Sequence, residues 1–173
     1  YDNRLIYQDR QQLRDRVQEL EVEREALQHS EQRYQTLYDL NPTMFITVDG
    51  QGMVLSANQL GAAELGYAVC ELVGQPISHL YLPDDRAYAS SQLERCLAEP
   101  GNIHRWEARK VRKDGSELWA RETARAIVGR QHQPSVLVVS EDITESRRRS
   151  EQLVYDANHD ALTGLANRRA FEE

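Results

Sequence analysis

The chain has 173 residues, of which 28% are charged and 40% hydrophobic, and it carries a formal net charge of −7. That balance leaves room for one compact domain plus extended, solvated helix, and its acidity argues against a nucleic-acid binder, which needs a basic face. The longest apolar stretches, such as Val136–Val139, are strand-sized, so no transmembrane helix is predicted.

Residues 1–33 hold neither Gly nor Pro and are dense in Gln, Glu and Arg. Tyr1 already lies inside this charged helical pattern, so no signal peptide is visible and the chain reads as a piece that begins and ends mid-element. Ile6, Leu13, Leu20, Leu27 and Tyr34 recur at seven-residue intervals. Placed at d positions, they pair with Asn3, Arg10, Val17, Arg24 and Glu31 at a, where Val17 alone is apolar. Such spacing predicts a coiled coil about 50 Å long, at roughly 1.5 Å per residue, with a dimer interface of Ile6, Leu13, Val17, Leu20, Leu27 and Tyr34. The alternative is a solvated helix that packs only through Leu27 and Tyr34.

From Tyr34 the texture changes, and this helix is expected to end at Asn41-Pro42. Met44–Val48 and Met53–Ser56 read as a hairpin turned by Asp49 to Gly52. Asn58 sits where a helix N-cap would, ahead of Leu60, Ala63 and Leu65, and Gly66 and Gly74 punctuate short helices. Pro83-Asp84-Asp85 opens a longer helix that breaks at Pro100-Gly101. Three strands follow, about Ile103–Arg112, Glu117–Val128 and Ser135–Ser140. Asp142-Ile143-Thr144-Glu145 has the form of a capping box, with Asp142 as cap, opening a polar helix in which Arg147-Arg148-Arg149 is read as a solvated face. Cys70 and Cys96 lack CxxC or metal-ligand spacing and read as small, reduced, apolar residues of a cytoplasmic protein.

This order of elements, with Val48-Asp49-Gly50, Asn58, Leu65-Gly66-Tyr67, Leu72-Val73-Gly74, Pro83-Asp84-Asp85, Lys113-Asp114-Gly115 and Asp142-Ile143-Thr144, resembles a PAS sensory domain over about residues 31–145. The resemblance implies an α+β fold: a five-stranded antiparallel sheet with flanking helices, here preceded by the long coiled-coil helix. It also implies a central cavity, with Ile46, Val48, Leu65, Leu80, Leu93, Trp106, Trp119 and Val138 as candidate wall residues. Either a small apolar ligand or a simply filled core fits such a wall. Haem-binding PAS domains commonly use a His on the helix after Pro-Asp-Asp; residues 84–99 contain none, with His79 before and His104 after. The Asn-Cys-Arg-Phe-Leu-Gln motif of covalent flavin attachment is missing too. Both groups are disfavoured, although non-covalent flavin could stack on Trp106 or Trp119.

Residues 159–171, from His159-Asp160 through Leu162-Thr163-Gly164-Leu165 to Asn167-Arg168, resemble the opening of a GGDEF domain, which makes cyclic di-GMP from two GTP molecules. In that family Asp160 and an Arg such as Arg168 are expected to pair at the junction. No GG[DE]EF loop follows, so no catalytic residue and no activity is expected of this stretch, while the parent is expected to be a diguanylate cyclase. The organisation predicted is a signalling helix (1–33), a PAS domain (34–144), a helical linker (145–159) and the start of a GGDEF domain (160–173). The resemblances imply a homodimeric bacterial module that senses a small molecule and steers the cyclase through its helices, with Asp142 and Thr144 transferring the signal. Neither nucleic acid nor a metal is expected, and a membrane only through segments outside these residues. Other readings are a ligand-free assembly module, the sensor of a cyclase–phosphodiesterase fusion, or a histidine-kinase sensor; the last is disfavoured because no phospho-accepting His motif follows Thr144.

Overall fold

The computed structural model describes residues 2–128 and 133–158, with side chains from Tyr7 onward. The chain divides into two units, Tyr1–Leu40 and Asn41–Glu173. The first is a single helix, α1 (Asp2–Asp39). Its end follows from Pro42, which disfavours helix in the residue before it. Along α1 the heptad residues Leu13, Val17, Leu20, Leu27 and Tyr34 are all exposed in the single chain. The side chain of Ile6 lies outside the described part. A helix this polar gains little from burial on its own.

The second unit begins with strands β1 (Met44–Asp49) and β2 (Val54–Ala57). Asp49 turns them: its Oδ1 accepts the N–H groups of Gln51 and Met53, each at 2.9 Å, and Gly52 takes a positive φ of 78°. Helices α2 (Gln59–Glu64) and α3 (Val69–Leu72), a 3-10 turn (Ile77–Leu80) and α4 (Pro83–Ala98) follow. Strands β3 (Ile103–Val111), β4 (Glu117–Val128) and β5 (Pro134–Asp142) complete the sheet, and α5 (Thr144–Asn158) leaves it. The strand order is β2-β1-β5-β4-β3, with all neighbours antiparallel. This is the expected α+β architecture, with the first and last strands side by side.

Alternation sorts the two faces. Met44, Ile46 and Val48 of β1, Trp106 and Ala108 of β3, Leu118, Ala120 and Ala124 of β4, and Val136 and Val138 of β5 are buried on one face. Against them pack Leu65, Leu72, Ile77, Leu80, Tyr81, Ala89, Leu93 and Cys96 from the helical segments. Each fully buried Leu, Ile or Val contributes about 1.5–3 kcal/mol.

Asn58 stands at the N-cap of α2, as expected, but its side chain does not cap the helix. Instead Oδ1 accepts Phe45 N–H at 2.8 Å, and Nδ2 donates to the carbonyls of Asn41 and Thr43. Fully buried, it ties the entry to β1 onto the start of α2. Gly61 makes the approach possible, because a Cβ there would stand 2.4 Å from Asn58 Oδ1 and 2.7 Å from Met44 Cα. The need at Gly61 is for space rather than for an unusual backbone angle.

Candidate functional site

Ile46, Val48, Leu65, Leu80, Leu93, Trp106 and Val138 come together in one buried cluster behind the sheet. Trp119 does not join them, which corrects its expected place in the wall. On β4 the buried positions are Leu118, Ala120, Glu122 and Ala124, so position 119 faces the other way. A strand's two-residue period permits no other outcome once its neighbours point inward.

The same alternation carries polar groups inward. Lys110 on β3, Glu122 on β4 and Ser140 on β5 are fully buried, as is Tyr81 between the 3-10 turn and α4. Lys110 Nζ lies 2.9 Å from Glu122 Oε1 and donates to Ser140 Oγ at 2.7 Å. Ser140 Oγ donates to Glu122 Oε2, and the Tyr81 hydroxyl donates to Glu122 Oε1 at 3.3 Å. The ammonium also stands 5.2 Å from the centre of the Tyr81 ring. Burial first, then the Glu122 charge beside it, pushes the Tyr81 phenol well above its ordinary pKa. Opposite charges that close, with their remaining valences hydrogen-bonded, are what makes such burial tolerable. No local motif marks this group in the sequence. Its signal was parity, since Lys110 shares the even-numbered row of Trp106 and Ala108.

Among the described residues, two inward nitrogens stay without a hydrogen bond: Trp106 Nε1 and His104 Nε2. His104 Nε2 is 3.6 Å from Glu99 Oε2, too long for a hydrogen bond. A buried indole N–H without a protein acceptor is uncommon. Among the described residues no group of three or more His, Cys, Asp or Glu could hold a metal. Cys96 is buried as expected, whereas Cys70 is exposed on α3 and has no apolar packing role.

The second constellation is the joint between β5 and α5. The expected capping box is not formed, because α5 starts at Thr144 and the Asp142 carboxylate is divided between two other partners. Its Oδ1 accepts Thr144 N–H at 2.8 Å, and its Oδ2 pairs with Arg112 Nη2 at 3.0 Å. Glu145 pairs instead with Arg149 one turn on. Thr144 Oγ1 accepts the backbone N–H of Trp119 at 2.9 Å, and Ile143 N–H donates to the Trp119 carbonyl at 2.8 Å. Asp142 and Thr144 are thus both placed where the sheet hands over to the helix. Over the outer face, the Arg147 guanidinium lies 3.9 Å from the Trp119 ring centre and donates to Glu107 at 2.8 Å. A cleft of about 210 Å³ opens there, lined by Arg109, Glu117, Trp119, Thr144, Arg147, Arg148 and Glu151.

Residues 32–143, spanning the sheet and all the helices that cover it, match the PAS fold family. The chain belongs to that family. The PAS domain of an HTR-like protein from Haloarcula marismortui superposes with a TM-score of 0.65 at 24% identity, covering 71% of this chain and 99% of that one. At that identity the likeness speaks for the PAS fold alone. The sensor histidine kinase TmoS of Ectopseudomonas mendocina is 27% identical over 129 residues, 74% of this chain and 13% of that protein. The cyclic di-GMP phosphodiesterase PdeR of Escherichia coli is 29% identical over 129 residues, 74% of this chain and 20% of that protein. The probable diguanylate cyclase DgcE of the same species is 62% identical, but over 39 residues, 22% of this chain and 3% of that protein. The chain therefore spans only a small part of the length of TmoS, PdeR and DgcE. Residues 159–173, with the motif likened to a GGDEF opening, lie outside the described residues. Among the described residues no helix is long and apolar enough to cross a membrane.

Proposed function

We propose that this PAS chain is the sensory and dimerising module of a cyclic di-GMP signalling protein, and that it regulates a diguanylate cyclase beyond its last helix. The observation that carries the proposal is the joint at Asp142-Ile143-Thr144. There a strand whose inner face lines the core passes directly into α5, which leads toward residue 159. Similarity to PdeR and DgcE supports the cyclic di-GMP setting over the kinase setting suggested by TmoS.

The proposed mechanism uses two copies. Making cyclic di-GMP requires two GTP-loaded domains facing one another, so a parallel pair of α1 helices is a physical means of presenting them. Leu13, Val17, Leu20 and Leu27, exposed along α1, supply the seam, and Arg10 and Arg24 keep it weak enough to shift. A ligand answering Trp106 Nε1 would move the inner strands and so reset α5 through Asp142 and Thr144. Coupling of this kind is typically about 1–3 kcal/mol, a five- to 150-fold change in output.

A second reading, a PAS assembly module with a filled core, is favoured by the closed Lys110–Glu122–Ser140–Tyr81 group. Native mass spectrometry of the freshly purified chain separates the two. A retained small molecule that Trp106→Phe abolishes supports sensing, whereas bare chain under all conditions supports assembly alone. With GTP added, the chain itself is expected to form no cyclic di-GMP.

A further inference from the structure

Four charged side chains and one indole make a continuous path over the outer face of the PAS sheet. Asp85, in the first turn of α4, holds Arg109 on the edge strand β3 in three ways. Its Oδ2 accepts the Arg109 backbone N–H at 2.7 Å and the side-chain Nε at 3.1 Å, and its Oδ1 accepts Nη2 at 2.8 Å. That guanidinium, as a hydrogen-bond donor, keeps the Asp85 carboxyl below the usual range. Arg109 is the cross-strand partner of Trp119, with its guanidinium carbon 5.9 Å from the ring centre. Arg147, from the first turn of α5, lies on the same ring at 3.9 Å and is paired to Glu107.

Two cations beside one ring repel each other, and here each is neutralised from its own side, Arg109 by Asp85 and Arg147 by Glu107. The ring's face attracts both. No residue of α5 is buried, so apolar packing does not hold the helix to the sheet. Its first turn is tied to the sheet by the backbone of Trp119, through Ile143 and Thr144, by the ring of Trp119, through Arg147, and by the Arg147–Glu107 pair. On the far side, α4 buries Ala89, Leu93 and Cys96 against the inner face. Asp85 thus ties the first turn of α4 directly to Arg109.

We propose that Trp119 is the positioning residue that couples α4 to α5, with Asp85–Arg109 as the input arm and Arg147–Glu107 as the output arm. The inference rests on helix-transmitted regulation as its purpose, but its physical content is testable without any cyclase. A path drawn through contacts needs coupling evidence, so a mutant cycle is the measure.

Hydrogen exchange followed by mass spectrometry on the whole chain reads the first turns of α5 directly. Trp119→Leu keeps both backbone bonds and removes the ring, and exchange over residues 144–150 is expected to rise roughly fivefold, the size of an exposed cation–ring contact. Arg147→Ala, which removes both the cation over the ring and its pair with Glu107, should raise it at least as much. Asp85→Asn touches no atom of α5, yet is expected to raise exchange there at least about twofold, and the Asp85→Asn/Arg147→Ala pair to give less than the product of the singles. Unchanged α5 exchange in Asp85→Asn, or strict multiplicativity in the pair, overturns the coupling. If Trp119→Leu loses protection throughout β4 and β5, the Asp85 and Arg147 variants decide alone. Failure of the regulatory reading would show elsewhere, as wild-type cyclic di-GMP output from the full-length protein carrying Asp142→Ala.

Discussion

Lys110 and Glu122 meet at 2.9 Å on adjacent strands with both side chains wholly out of water. A buried ion pair tends to be neutral to stability as a pair and damaging when halved. Lys110→Met should therefore cost about 3–5 kcal/mol, because it strands the carboxylate. Lys110→Met with Glu122→Leu should recover most of that loss. Urea unfolding of the three proteins checks this; a single variant within about 1 kcal/mol of wild type would remove the pair from the account of the core.

Tyr81 makes the same region sensitive to alkali. Its folded pKa is raised by burial and by Glu122, so its contribution to stability is fully present below the unfolded value, about 10. As pH rises above that value the unfolded chain releases a proton that the folded chain retains, and stability falls by up to about 1.4 kcal/mol per pH unit for one group. Tyr81→Phe should flatten this part of the stability profile between about pH 10 and 11.5. An unaltered slope would mean that the phenol ionises freely in the folded state.

Asp142→Ala is expected to leave the PAS domain folded while disconnecting it from its output. The carboxylate's pair with Arg112 is partly exposed on both sides, which limits its contribution to about 1 kcal/mol or less. A urea midpoint near wild type together with lost signal response in the full-length protein is the predicted result. Collapse of the fold would reduce Asp142 to a structural tie between Arg112 and Thr144.

Replacing Arg10 and Arg24 with Val puts apolar residues at a positions beside Val17. Sedimentation should show at least about a tenfold tighter dimer, equivalent to about 1.4 kcal/mol, and the full-length protein should lose its response to signal. Single chains at tens of micromolar would remove the paired helix from the mechanism.

The sequence by itself determined the elements and their order. Helix α1 followed from a long run without Gly or Pro, the β1–β2 turn from Asp49 and its glycines, and the sheet from alternating strands separated by turn residues. The apolar core was legible for the same reason: Ile46, Val48, Leu65, Leu80, Leu93, Trp106 and Val138 are apolar residues at positions where burial is the favourable outcome. Local turn chemistry also marked Asp142 and Thr144.

Tertiary structure decided what each polar or amphipathic side chain does. Trp119 is as apolar as Trp106, and only the pairing of β4 with β3 and β5 settles which of them faces inward. Lys110 and Glu122 look like solvated charges until the sheet sets them across from Ser140 and under Tyr81. Asn58 and Asp142 carry the signature of helix caps, yet each finds partners distant along the chain, at residues 41–45 and at Arg112. The physical reason is common to all of them. Apolar burial and backbone turns are governed by composition and near neighbours, whereas a hydrogen bond or ion pair needs a specific partner, and only the folded chain decides which partner comes within reach.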